Sequence, residues 1–101
     1  MNPFAVRFSQ DSISHKFRDG RTIEDLANGL RSGTIRIEDV PPLRLMDRNG
    51  DLYTLDNRRL MAFRRAGKEI PWRMASDEEI AAEIWKFTTM NEGSSVRVRG
   101  E

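Results

Sequence analysis

The stretch Leu43-Arg44-Leu45-Met46-Asp47-Arg48-Asn49-Gly50-Asp51-Leu52-Tyr53-Thr54-Leu55-Asp56-Asn57-Arg58-Arg59-Leu60-Met61-Ala62-Phe63-Arg64-Arg65-Ala66-Gly67 spells a hairpin, a turn and a helix in direct succession. Pro41-Pro42 ahead of it cannot continue a helix. Leu43 to Met46 therefore reads as the outgoing strand, and Asn49-Gly50 supplies the residue types that accept positive φ in a two-residue hairpin turn. Leu52 to Leu55 is the return strand. Asp56 stands where an N-cap is needed, Leu60, Phe63 and Ala66 share one helical face, and Gly67 occupies the left-handed position that ends a helix. Ile70 to Met74 reads as a further strand, with Pro71 near its beginning placing it at an edge or a start.

Outward from this unit the signals are weaker but of the same kind. Phe4 to Phe8 alternates as a short strand, and the polar run Ser9 to Lys16 has too little periodicity to be more than a loop. Thr22 caps a predicted helix whose apolar positions Ile23, Leu26, Ala27 and Leu30 recur at helical spacing, with Glu24 and Asp25 in the first turn and Gly33 as the stop. Ser76 and Glu79 form a capping box ahead of Ile80, Ala81, Ile84 and Trp85. Thr88 to Ser95 is polar with a turn at Gly93, and Val96 to Arg99 alternates as a last strand carrying two arginines on one face. The pattern predicts an α+β fold, a small mixed sheet with about three helices. A length of 101 residues suits a single domain over residues 1–101.

Composition removes several function classes. There is no cysteine, so disulfides, thiolate metal sites and thiol catalysis are excluded. The single histidine, His15, rules out a histidine cluster for a metal, while a magnesium ion held by carboxylates stays open. No apolar run reaches membrane-spanning length, and Met1 to Gln10 lacks a basic start followed by a long apolar stretch, so a soluble chain with no membrane span or secretory signal is expected. The net charge of +1 conceals a preference for arginine, concentrated at Arg58, Arg59, Arg64, Arg65, Arg73, Arg97 and Arg99. The planar guanidinium fork suits phosphates and carboxylates, which favours an anionic partner; the plain alternative is pairing with the sixteen acidic residues.

The most informative point is the start of the central helix. A helix that opens directly after a strand presents unpaired N–H groups and the positive end of its dipole together. At about 100° per residue Arg59 falls beside Phe63 at the margin of the core face, whereas Arg58 and Arg65 point away. Arg59 is thus expected to be partly buried and held by a ligand or by an acid such as Asp56.

The run Leu55 to Phe63, followed by Arg64-Arg65-Ala66-Gly67 and the strand Ile70 to Met74, resembles the ParB-type motif, in which a Gly/Asp-Glu/Asn/His-Arg-Arg turn leads into an apolar helix. The wider frame, Phe8 to Ile13, the Pro41-Pro42 entry and the closing Gly93 to Gly100 segment, resembles ParB-like domains at the C-termini of bacterial polymorphic toxins. The resemblance implies a ParB/sulfiredoxin-like fold and a turn that contacts the phosphates of a nucleotide, with nucleases among the superfamily's members. By position it places phosphate contacts at Asn57, Arg58 and Arg59. Two departures matter. Sulfiredoxin chemistry needs a cysteine in its turn, and this turn has none. Partitioning proteins carry a helix-turn-helix and a dimerisation domain for which 101 residues leave no room.

Phosphodiester cleavage needs a group that activates the nucleophile and positive charge on the equatorial oxygens. His15 or Asp56 is the candidate base, and Arg59 joins them as a catalytic candidate. Asn57, Arg58, Gln10, Ser12 and Lys16 are candidate phosphate ligands, and Ser14 joins Gln10 and Ser12 as able to bind ribose or phosphate, although serines in a loop more often make local turn bonds. Each has a bland alternative: a surface histidine, a helix-capping aspartate, loop serines. The expected function is a ParB-like effector domain, a nuclease cleaving DNA or RNA or else a nucleoside triphosphate hydrolase, delivered in secreted form to a target-cell cytoplasm and neutralised by an immunity protein. The alternative is a module that binds nucleotide or nucleic acid without turnover.

Overall fold

The computed structural model describes Met1 to Glu101 in full. The hairpin forms where the Asn49-Gly50 pair places it, with β3 (Leu43–Arg48) antiparallel to β4 (Asp51–Thr54). Both turn residues have positive φ, 56° at Asn49 and 89° at Gly50, as this turn requires. Before them come β1 (Arg7–Phe8), β2 (Ser12–Ser14) and helix α1 (Ile23–Ser32). After them come helix α2 (Asn57–Ala66), β5 (Trp72–Met74), helix α3 (Asp77–Glu83) and β6 (Arg97–Arg99). The class is α+β.

Two sheets result. The larger has the order β1-β4-β3-β5, with β1 parallel to β4 and β5 parallel to β3. β5 lies at its edge, as Pro71 foretells: the proline offers only its carbonyl, which accepts from Leu43 N at 2.9 Å. The smaller sheet pairs β2 with β6 in parallel, Ser12 opposite Arg97 and Ser14 opposite Arg99.

Side chains alternate across the larger sheet. Leu43 and Leu45 face α1 and α2, where Val6, Phe8, Leu30, Leu60 and Phe63 complete a core of fully or nearly fully buried residues. Met46, Tyr53 and Leu55 form a second cluster against Ala75, Ile80 of α3 and Phe87. The small sheet closes a third, Ile13 packing with Ile23, Ala27 and Ala62. Helices thus cover both faces, and the β4–α2 junction lies between the clusters on the two faces of the larger sheet. No helix is long and apolar enough to cross a membrane.

The helix ends match their chemical signals. Thr22 and Asp25 form a capping box at α1, Ser76 and Glu79 form one at α3, and Gly33 and Gly67 adopt φ of 80° and 66° at the helix stops. Three expectations needed correction. Phe4 to Phe8 is not one strand: Pro3–Ala5 is a 3-10 turn, started by Pro3 and the Asn2 side chain that accepts from Phe4 N at 2.9 Å, and only Arg7–Phe8 is extended. Ser9 to Lys16 is not all loop, because Ser12–Ser14 pairs with β6. The strand expected from Ile70 begins at Trp72, since Ile70 N donates instead to Met1 O at 2.8 Å.

Gly93 is the turn residue under the greatest steric demand. It has φ of 71°, and an added Cβ would overlap the carbonyl oxygen of Phe8, whereas Gly67, with similar φ, has open space there. Gly93→Ala is expected to cost well above the ~1 kcal/mol of a simple left-handed alanine, and Gly67→Ala about that amount; urea denaturation of the two variants measures the difference.

Candidate functional site

The strand-to-helix turn is fixed by Asp56. Its Oδ2 accepts from the Arg44 backbone N at 2.8 Å and from Arg44 Nε at 3.1 Å, while Oδ1 accepts from Arg44 Nη2 at 2.8 Å. Arg59 Nη2 reaches the same Oδ1 at 2.7 Å. The carboxylate is only 7% exposed, so it would be costly without these partners. Burial pushes the Asp56 carboxyl upward, but the Arg44 hydrogen bonds and the charges of Arg59 and Arg44 outweigh it and hold the group below the usual carboxylate range. Arg44 is held above the usual arginine value chiefly by its bonds to Asp56 and Glu83. Through Arg44 the cluster continues to Glu83 of α3 at 2.5 Å, and Glu83 in turn accepts from Lys86 at 2.6 Å.

This geometry changes the role assigned to Asp56. It occupies the N-cap position, but its side chain makes no capping bond to α2. Its φ of −114° and ψ of 67° turn the carboxylate back toward β3. The first intrahelical bond runs from Leu60 N to Asp56 O at 3.1 Å. The amides of Asn57, Arg58 and Arg59 thus open the helix without a side-chain cap. As a carboxylate held in its charged form by two guanidinium groups, Asp56 is a poor proton acceptor and an effective orienter of Arg59.

Asn57 is buried, and its side chain fastens the N-terminal segment to the helix start. Its Oδ1 accepts from Ser9 N at 2.8 Å, and its Nδ2 donates to Ser9 Oγ at 2.9 Å and Gln10 Oε1 at 3.2 Å. Its side chain is therefore occupied, leaving its backbone N–H for a ligand. Arg58 differs from Arg59 as the helical angle predicts. Arg59 is drawn to Asp56 and to Pro41 O at 2.7 Å. Arg58 makes no ion pair: it donates to Lys16 O at 2.7 Å and lies 5.7 Å from the centre of the Phe17 ring.

A concavity of about 360 Å³ opens at this helix start. Gln10, Asp56, Asn57, Arg58 and Arg59 all line it, so these sequence candidates are brought together. His15, Ser12 and Lys16 are not among its lining residues. His15 Nδ1 lies 2.9 Å from Arg99 O, an arrangement in which the ring must donate, and Ser12 Oγ accepts from Arg99 Nη1 at 3.1 Å. Lys16 contributes its carbonyl to Arg58, and its side chain is exposed. The structure adds Phe17, Arg18, Asp19 and Lys86 to the lining. Arg18 and Phe17 follow β2 closely enough in sequence to be found by anyone who placed that strand, but no spacing signals Lys86, which arrives from beyond α3. Four cations, Arg18, Arg58, Arg59 and Lys86, face two carboxylates, Asp19 and Asp56. No three His, Asp or Glu side chains converge as a metal-ligand set.

No protein-family model, curated protein or solved structure matches this chain.

The ionised Asp56 contributes to stability with a definite pH sign. Its folded-state pKa is lower than the ~3.9 of a free aspartate, so the contribution is complete above that value and is lost as pH falls through the depressed one. Asp56→Asn should therefore lose on the order of 3 kcal/mol at pH 7, with the gap to the parent narrowing below about pH 4. Urea denaturation of both proteins at pH 7 and at pH 3 checks magnitude and direction together.

Proposed function

We propose that the chain binds phosphate groups of a nucleic acid or nucleotide at the start of α2 and cleaves phosphoester bonds there, as a nuclease-type effector domain of the ParB-like kind its central motif resembles. One observation carries the reading. Arg58 has no carboxylate partner and stands at an uncapped helix start, beside a concavity with more cations than acids. Free amides, the positive end of the helix dipole and an uncompensated guanidinium together favour a bound anion.

In this reading Arg58 and the amides of Asn57, Arg58 and Arg59 take the phosphate oxygens, and Arg18 and Lys86 add positive charge at the rim. Arg59 is a phosphate ligand already oriented by Asp56, and Asp56 is a positioning residue rather than the base. Magnesium enters with the substrate's phosphates, since no three carboxylate or histidine side chains converge to hold it on their own. The biological setting proposed is the one the resemblance suggests: a toxin domain delivered to a target-cell cytoplasm and neutralised by an immunity protein. A second reading, a module that binds without turnover, is favoured by one specific feature. Asp56 is engaged with Arg44 and Arg59, and His15 pairs with the C-terminal strand outside the concavity, so neither supplies a base at the helix start.

Incubation of the purified protein with plasmid, total RNA, ATP and CTP, with and without magnesium, separates the two readings. Cleavage products are expected from the parent, with Arg58→Ala slower by about 100-fold. Ligand-induced thermal stabilisation without products selects the binding module. Undiminished cleavage and binding by Arg58→Ala contradict the site assignment.

A further inference from the structure

The cations that lack a carboxylate partner are not scattered. Ion pairs engage Arg7, Arg21, Arg31, Arg36, Arg44, Arg59, Arg65, Arg73 and Lys86. Among the remainder, Arg48 lies over the Phe87 ring, Arg64 is turned inward onto the carbonyls of Pro3 and Val6, and Lys68 follows the end of α2. Every other unpaired cation, Lys16, Arg18, Arg58, Arg97 and Arg99, falls on one continuous path. Arg97 and Arg99 belong to β6, which pairs with β2, and β2 runs on through Lys16 to Arg18 in the lining of the concavity. Arg58 is tied to that path by its bond to Lys16 O.

The face is outward and polar. Ile13 and Val98 turn inward to the third core cluster, while Arg99 reaches Ser12 Oγ on the opposite side of the small sheet. Arg97 and Arg99 are exposed. Of the acids nearest the strand ends, Glu101 is paired with Arg65, while Asp11 accepts only from the Thr88 hydroxyl and keeps one negative charge beside the start of the five-cation path. Two residues along a strand advance roughly 6.6 Å, about one nucleotide of an extended single strand. Phe17, partly exposed at the concavity, provides an aromatic surface at the end of the path. A basic track ending on an aromatic ring is the arrangement by which proteins hold unpaired nucleic-acid strands.

We infer that the outer face of the β2–β6 sheet is a binding track for single-stranded nucleic acid, leading its backbone from Arg97 and Arg99 to the start of α2. This rests on the phosphate-binding reading of that helix start and extends it: the substrate is a single-stranded polymer rather than a free nucleotide, and a section of it outside the cleft is held by β6.

The test compares a labelled oligothymidylate of about 12 nucleotides, its duplex, and pyrophosphate, for the parent, Arg97→Ala/Arg99→Ala and Arg58→Ala, each checked by thermal melting. The double variant should bind the oligonucleotide about tenfold more weakly, and the slope of log affinity against log salt should fall by about 1.4, two single-strand phosphate contacts. Its pyrophosphate binding should match the parent's, and Arg97→Lys/Arg99→Lys should restore most of the oligonucleotide affinity. Unchanged oligonucleotide affinity and slope in the double variant, or a duplex bound as tightly as the single strand, overturns the track. If that happens while Arg58→Ala loses pyrophosphate, the helix-start site stands alone. If Arg58→Ala keeps pyrophosphate binding, the helix-start reading fails, and the track that depends on it fails too.

Discussion

A single carboxylate organises the junction on which the rest of the molecule converges. Asp56 receives the backbone N–H and two guanidinium donors of Arg44 together with one donor of Arg59, and so joins β3, the end of the hairpin and the first turn of α2. Arg44 carries the linkage onward to Glu83 at the end of α3. With the carboxylate mostly buried, its partners are needed to offset desolvation, so the turn has one well-defined geometry. Because the carboxylate faces β3, it is withdrawn from the helix start it would otherwise cap. The same interaction that holds the fold therefore leaves the leading amides of α2 open toward the concavity.

The neighbouring residues divide the work. Asn57 joins Ser9 and Gln10 to the helix and keeps the first strand in place beside β4. Arg59 is half-neutralised by Asp56, whereas Arg58, one position earlier and about 100° away around the helix, has only a carbonyl and an aromatic ring for company. A doublet of identical residues thus yields one arginine that supports the turn and one whose charge is still available. The proposed phosphate chemistry draws on the second.

Much of the fold was legible because its signals are local. Asn49-Gly50, the Thr22 cap, the Ser76 capping box and the glycines closing α1 and α2 each act through backbone geometry within a few residues, and each produced the element expected. β2 was missed because Ser12-Ile13-Ser14 contains one apolar residue, and its extended form depends on parallel pairing with a strand at the far end of the chain. The site was readable to the same extent. Helical angles separated Arg58 from Arg59, and the Arg59–Asp56 pair was among the alternatives weighed. The use of the Asp56 carboxylate by Arg44 was not readable, since it follows from cross-strand register. Nor was the presence of Lys86, which follows from how α3 packs on the sheet, or the distance of His15, which follows from β6.

The most direct test of the helix start as an anion receptor is a titration of the ¹⁵N-labelled protein with pyrophosphate, followed by backbone amide NMR shifts. The account predicts saturable shifts concentrated at the amides of Asn57, Arg58 and Arg59, with smaller ones at Arg18 and none at the Asn49-Gly50 turn. Shifts that never saturate, or that spread over the exposed arginines while those three amides stay still, would contradict it.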